Sequence, residues 1–435
     1  MPKGTLPGGL EQRLLKIVAT GSACVSGPPG LDFGMNYRSL LVIACGLTVA
    51  APSAFAARIR VDRGSDLQGV LNYAKNGDTL MLGAKTFEAK PVQFIDPLCG
   101  NCGDAKTDVK ASYGFLIKGK SLTVIGSDHT TTRLVTNAGY GLFIDGCPDL
   151  EIQNLTVTGG KRDLDGNATD AAIVVRNSRV RIHQVDCRDN THRQDSVIVG
   201  IGGIFGREGA DLCITDCRIV NNGWDGVALY RGAIAVVTDC LIKDGRGAGI
   251  GVTWDGSCTC YRNEITGYWK GIGAFGTSWV IARNNLVHDN LGWGMVATGQ
   301  SFMDITNNVV YHNGNCGVAP WSTEARGRII NNIITENGWR DQWVCPCVGV
   351  WNYGDWAKWR FSNNIVWNNK AGQYEGIWDQ TDINGNLNKD PMFIGAGNYE
   401  LQTGSPAIHA GDSATYNIDG TISHIGLTGG PQAKK

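Results

Sequence analysis

The chain has 435 residues, among them 60 Gly, 14 Cys and 13 Trp, and its formal net charge is −1. That balance excludes a long-range field able to gather nucleic acid or an anionic membrane, so a charged ligand has to be read by local clusters. Abundant Gly without long helical apolar periodicity favours one elongated repeat domain over several globular ones.

In chain order, residues 1–34 are rich in Gly and Pro and read as an over-extended start ahead of Met35. Met35-Asn36-Tyr37-Arg38 is a short basic region, Leu40 to Ala51 an apolar run, and Ala54-Phe55-Ala56 a small-residue cleavage site, so 35–56 reads as a signal peptide. The apolar run is short for a membrane span. The expected mature chain begins at Ala57 and is secreted or periplasmic. Cys24 and Cys45 precede the cleavage site, and the other cysteines reach a compartment where disulfides persist. Gly64 to Asn76 predicts an amphipathic helix with Leu67, Val70, Leu71 and Ala74 on one face, followed by a strand over Thr79 to Leu82. Such a helix suits the cap of a solenoid, whose end is otherwise apolar and open.

Cys99-x-x-Cys102 and Cys345-Pro346-Cys347 are read as local disulfides, with zinc the alternative. The run Asp163-Leu164-Asp165-Gly166-Asn167-Ala168-Thr169-Asp170 spaces oxygen ligands around a Gly turn. It is either a Ca²⁺ loop using Asp163, Asp165, Asn167 and Asp170, or an Asx-turn loop without metal. His192-Arg193-Gln194-Asp195 and Asp128-His129 are secondary catalytic candidates.

From Gly203 a pattern of Gly followed by alternating apolar residues returns at Gly226, Gly249, Gly271, Gly294 and Gly317, a spacing of about 23 residues. The pairs Asn284-Asn285, Asn307-Asn308, Asn331-Asn332 and Asn363-Asn364 keep the same phase. A coil of this length holds three short strands, each pairing in parallel with its counterpart one coil away. Asn tolerates the left-handed conformation of a sharp turn, and its amides can stack into a ladder. Cys217 and Cys240 share one turn register and are expected inside the coils. The coils span 57–412, and 413–435 is a C-terminal tail.

After each initial Gly, offsets +1 and +3 are apolar and should point inward, leaving +2 and +4 outward. The +4 row reads Arg207, Tyr230, Thr253, Phe275, Thr298 and Trp321, continuing with Tyr353. With Trp224, Trp254, Trp269, Trp293, Trp351 and Trp378 nearby, this stripe is either a glycan-binding groove or a set of rings packed beneath loops. Arg207, Glu208, Asp225, Tyr230, Arg231, Asp255 and Lys270 gather at its upstream end. The insertion from Gly338 to Cys347, carrying Trp339, Arg340, Asp341 and Trp343, lengthens one coil and is expected to wall the cleft.

The Gly-led coils, the Asn pairs, the entry helix before Gly77-Asp78-Thr79 and the closing Ser405-Pro406-Ala407-Ile408 resemble the pectin-lyase-like superfamily over about residues 58–412. The resemblance implies an all-β, right-handed parallel β-helix solenoid with an N-terminal capping helix. It also implies a polysaccharide-active protein, since the superfamily includes lyases, hydrolases, epimerases and binding proteins. In the resembled lyases the base is commonly Arg or Lys, and Ca²⁺ often holds the substrate carboxylate. Position along the stripe then assigns Arg231 or Lys270 as base, Tyr230 as acid and Arg207 as carboxylate clamp in β-elimination on a uronic-acid glycan. The alternatives are a glycoside hydrolase using Asp225 and Asp255, a uronate C5-epimerase, and a non-catalytic glycan-binding surface protein.

Overall fold

The computed structural model describes residues 56–62, 64–341, 345–395 and 397–434. Segment 1–34, and the signal peptide over 35–56 except Ala56, lie outside the described residues. Among the described residues no helix is long and apolar enough to cross a membrane.

The first residue after each repeated Gly pairs with its counterpart one coil on. Val227 pairs with Ile250, Ile250 with Ile272, Ile272 with Met295, Met295 with Val318 and Val318 with Val350, all in parallel. Among the described residues these strands belong to a 12-stranded sheet, and a 21-stranded sheet forms the remaining walls. In that second sheet a coil supplies two strands, as with Trp279–Arg283 and Leu286–His288, separated by one Asn pair. The Gly column is enforced by close approach: a Cβ at Gly226 would lie 2.6 Å from the carbonyl oxygen of Gly249 and 2.4 Å from Ile242.

The expected alternation holds. Offsets +1 and +3, such as Val227, Leu229, Ile250 and Val252, lie in the continuous interior core. Offset +2 residues such as Ala228, Val296 and Ala319 belong to separate clusters on the outer face. Fully burying a Val, Leu or Ile contributes about 1.5–3 kcal/mol, so a stack of such residues holds each coil to the next.

The two members of each Asn pair divide the work. Asn284, Asn307, Asn331 and Asn363 take positive φ at the turn. Their successors form a buried amide ladder: Asn285 donates to Asn308, Asn308 to Asn332 and Asn332 to Asn364, each at 3.0 Å. A second ladder, Asn290 to Asn313 to Asn337 to Asn369, runs parallel to it at 2.9 Å per step. Upstream, Cys217 and Cys240 occupy the first ladder's register, and the Cys217 N–H meets the Cys240 sulfur at 3.4 Å inside the coil.

The entry helix, Leu67–Tyr73, is shorter than its sequence pattern, and it buries Leu67 and Leu71 on the core. At the far end the chain turns back along the outside of the coils. The first Asn of each pair donates to this returning strap: Asn363 to the Ala410 carbonyl, Asn307 to His424 and Asn284 to Leu427. Residues beyond 412 are thus part of the packed surface, with Ile425 buried beside Val309 and Ile333.

Candidate active site

The outer face of the 12-stranded sheet is covered at both ends. Upstream, Val92–Asp96 pairs antiparallel with Val109–Lys118, and the loop between them carries Cys99 and Cys102, whose sulfurs are in bonding contact. This segment buries the start of the +4 row. Arg207 is 1% exposed. Its guanidinium donates to Asp96 at 3.1 Å, Tyr140 at 2.9 Å, Thr169 at 2.7 Å and Glu208 at 2.6 Å. Arg207 is therefore a structural cation, not the substrate clamp its register suggests, because both its charge and its donors are consumed internally. Tyr230 is also buried, edge-on to Phe205 at 5.8 Å, and burial holds its hydroxyl well above the usual value.

Downstream, the expected stripe is a ribbon of rings. Trp269 and Trp293 are 6.0 Å apart, Trp293 and Trp321 5.2 Å, Trp321 and Trp351 5.5 Å, and Trp351 and Tyr353 5.7 Å. Trp293 and Trp351 are buried, and Phe275 packs against the same cluster. Among the described residues, broad ring area is offered at the downstream end, where Tyr353 is 68% exposed and Trp378, one coil further, is 70% exposed. The ribbon is thus partly a packed core beneath the enlarged coil, where Arg340 lies over Trp269 at 5.3 Å.

Between the two covered regions lie Asp225, Arg231, Trp254, Asp255 and Lys270, all half-buried. Asp225 precedes the strand Val227–Leu229 and turns across the next coil, where its carboxylate accepts the Ala248 N–H at 2.6 Å. Ala248 pairs with Lys270 one coil beyond. Burial pushes the Asp225 carboxyl up to about 6, opposed by the Ala248 N–H and by the Lys270 charge. Burial in turn holds the Lys270 ammonium below its usual value, opposed by Asp225. The ammonium stands 5.8 Å from the ring centres of both Phe275 and Trp293. Arg231 is stacked over Trp254 at 4.6 Å and donates to the carbonyls of Cys99 and Cys102. Asp255 accepts the Gly232 N–H at 2.7 Å and follows the strand Ala248–Val252. Asp225 and Asp255 therefore sit at opposite strand ends, which separates them as a hydrolytic carboxyl pair.

A family model described as the right handed beta helix region matches residues 107–265 and 202–371, which together exceed half of the chain. The chain belongs to the right-handed β-helix family. No curated protein matches it. Among solved structures, this β-helix is similar to pectate lyase Pel9A, with a TM-score of 0.45 and 11% identity over 85% of this chain and 96% of that one. The A-module of the Azotobacter vinelandii mannuronan C-5 epimerase AlgE4 gives 0.38 and 13% over 74% and 88%. The catalytic domain of a GH87 alpha-1,3-glucanase gives 0.28 and 13% over 79% and 70%.

The remaining candidates of this β-helix lie elsewhere. Both oxygens of Asp163 accept from Ser112, at 2.9 and 2.7 Å, while Asp165 accepts the N–H groups of Lys110 and Asn167, each at 2.9 Å. Asp170 pairs with the buried Arg162 at 2.5 Å. Burial holds the neighbouring Asp163 and Asp170 carboxyls above their usual range. Asp163 and Asp165 are committed to N–H and O–H donors and the Arg162 guanidinium pairs with Asp170, so although Asp170 Oδ1 is buried without a partner among the described residues, this run does not present the shell of free oxygens that a Ca²⁺ ion takes. His192 accepts the Arg162 N–H at 3.2 Å, placing 192–195 beside that loop. His129 instead faces Asp186 at 3.3 Å in the 21-stranded sheet, so the two histidine candidates do not meet. Cys345 faces Cys316, with the sulfurs 3.0 Å apart, in place of the expected Cys347. Sequence reasoning missed Asp96, Tyr140 and Cys316, and only Cys316 carried a signal, as the residue just before Gly317.

Proposed function

We propose that this β-helix is a secreted or periplasmic polysaccharide-active enzyme, a lyase that cleaves a uronic-acid-containing glycan by β-elimination. The observation that carries this reading is Lys270: a half-buried ammonium with a depressed pKa, facing Asp225 across one coil and flanked by aromatic rings. A lysine that sheds its proton more readily than usual can serve as a general base. Lys270 removes the proton from C5 of the uronate. Arg231 meets the substrate carboxylate, because its guanidinium has carbonyl and ring partners and, among the described residues, no carboxylate. Loss of the C4–O bond completes the elimination, the departing oxygen taking its proton from water because Tyr230 is buried, and the C4–C5 double bond remains in the product. The exposed ribbon end at Tyr353 and Trp378 supplies stacking area for sugar rings.

The test is incubation with a panel of uronic-acid polysaccharides, with Ca²⁺ and again with chelator, following the absorbance of the unsaturated product. Absorbance should rise with wild type and stay flat for Lys270→Ala. Reducing ends without absorbance would mark a hydrolase, inverted uronate without cleavage an epimerase, and retention without change a binding protein; each would sink the lyase reading.

A further inference from the structure

The coil that carries the insertion is longer than its neighbours. Stacked ladder asparagines are 24 residues apart from Asn313 to Asn337, and 32 apart from Asn337 to Asn369. The excess chain leaves the solenoid after Asn337, passes Trp339 and Arg340, and returns through Cys345 and Cys347. Its described residues are held by backbone bonds from Gly338 to Asn313 and from Arg340 to Gly314, by Asn315 donating to the Asp341 carbonyl, and by two side chains. The Trp339 indole donates to the His312 carbonyl at 2.8 Å, and Arg340 donates to the Leu291 carbonyl at 2.9 Å while covering Trp269. At its root Cys316, just before the strand Val318–Pro320, meets Cys345 with the sulfurs 3.0 Å apart, and both residues are almost fully buried. Cys347 is turned the other way, its thiol donating to the Arg340 carbonyl at 3.2 Å.

We propose that Cys316 and Cys345 are joined by a disulfide that ties the enlarged coil to the coil before it and holds Arg340 on Trp269, beside Lys270. Two sulfurs this close, with no polar group between them, need a movement of only about 1 Å to reach bonding distance. The pair Cys345–Cys347, suggested by sequence proximity, would instead require Cys347 to abandon its place against Arg340. Cys345 is the better nucleophile of the proposed pair, since a hydrogen bond with Cys316 holds its thiol below the usual value while burial holds Cys316 well above it. The oxidant is a small-molecule or protein disulfide. The Cys345 thiolate attacks one of its sulfurs and expels a thiolate. Cys316 then loses its proton and attacks the Cys345 sulfur of the mixed disulfide, expelling the second. Two protein thiols give up two protons and two electrons, and the oxidant becomes two thiols.

The experiment maps disulfides in protein recovered from an oxidising compartment, alkylated without reduction, digested and examined by mass spectrometry. A linked Cys316–Cys345 peptide is expected in wild type and in Cys347→Ser, with Cys347 alkylated in wild type. A Cys345–Cys347 link, or alkylation of both Cys316 and Cys345, overturns the proposal. Trypsin cleavage after Arg340 reads the positioning role without any glycan, and should quicken about tenfold in Cys345→Ser. Unchanged cleavage would refute that role even if the bond is found. Weaker glycan retention by Cys345→Ser is expected only if the proposed function also holds, so failure of the two ideas is told apart by the mapping.

Discussion

Arg207 donates to Asp96 at 3.1 Å although 111 residues separate them in the chain. Asp96 also receives Arg176 at 2.6 Å, so one buried carboxylate gathers two guanidinium groups beneath the segment that covers the upstream sheet face. Breaking a buried pair by removing one partner is costly because the other charge remains buried. Arg207→Ala should lower stability by about 3 kcal/mol, the lower end of the usual range, since Arg176 still serves Asp96. Urea denaturation followed by circular dichroism checks this. Full stability would return Arg207 to the list of substrate-facing residues.

The two positions of the Asn pairs should respond differently. Asn308→Ala leaves buried amide and carbonyl partners unpaired in the ladder, including the Asn285 amide and the Ala282 carbonyl. A global loss of about 1–3 kcal/mol is expected. Asn284→Ala releases the strap at the Leu427 and Gly429 carbonyls. Its effect should appear as faster amide exchange over 425–430, with little change in the global unfolding midpoint.

Stability should fall as pH rises through the titration of Asp225. Its folded pKa, about 6, exceeds its ordinary value of 3.8. Between those values the folded chain binds more protons than the unfolded chain, so the Asp225 contribution is most favourable in acid and is lost on the way up to about 6. Buried Asp170 is shifted in the same direction. Asp225→Asn, which keeps an acceptor for the Ala248 N–H, should flatten the slope of unfolding free energy against pH between about 4 and 6. An unaltered slope would show that Asp225 does not titrate there.

Activity should depend on pH in the opposite sense. Lys270 acts as a base only when neutral, so the rate should climb with pH and level off above a pKa below the ordinary lysine value of 10.5. Asp225 raises the Lys270 pKa, and Asp225→Asn should therefore move the rising limb to lower pH. Lys270→Ala should abolish that limb and lower kcat by 100-fold or more, a loss on the order of that for a general base. A pH–rate profile of unsaturated product formation checks both variants.

What the sequence determined by itself was much of what repeats once per coil, the Gly column and the first Asn ladder above all. Gly226 and Gly249 are legible because each coil's backbone must pass close to the next, and Asn307-Asn308 because each turn needs one left-handed residue and one ladder amide. Those demands are satisfied by a neighbour about 23 residues away, so they leave a periodic trace. The tertiary structure alone decided which outward residues are covered. Arg207 and Lys270 both lie on the 12-stranded sheet, yet one is sealed by Asp96 and the loop after it, where the Leu98 carbonyl accepts from its guanidinium, and the other stays half-buried. The choice of Cys316 for Cys345, and the laying of the C-terminal strap along Asn284 and Asn307, are likewise set by the paths of excursions from the coil. Such excursions occur once, so no period in the sequence records where they land, and packing against a distant coil settles it.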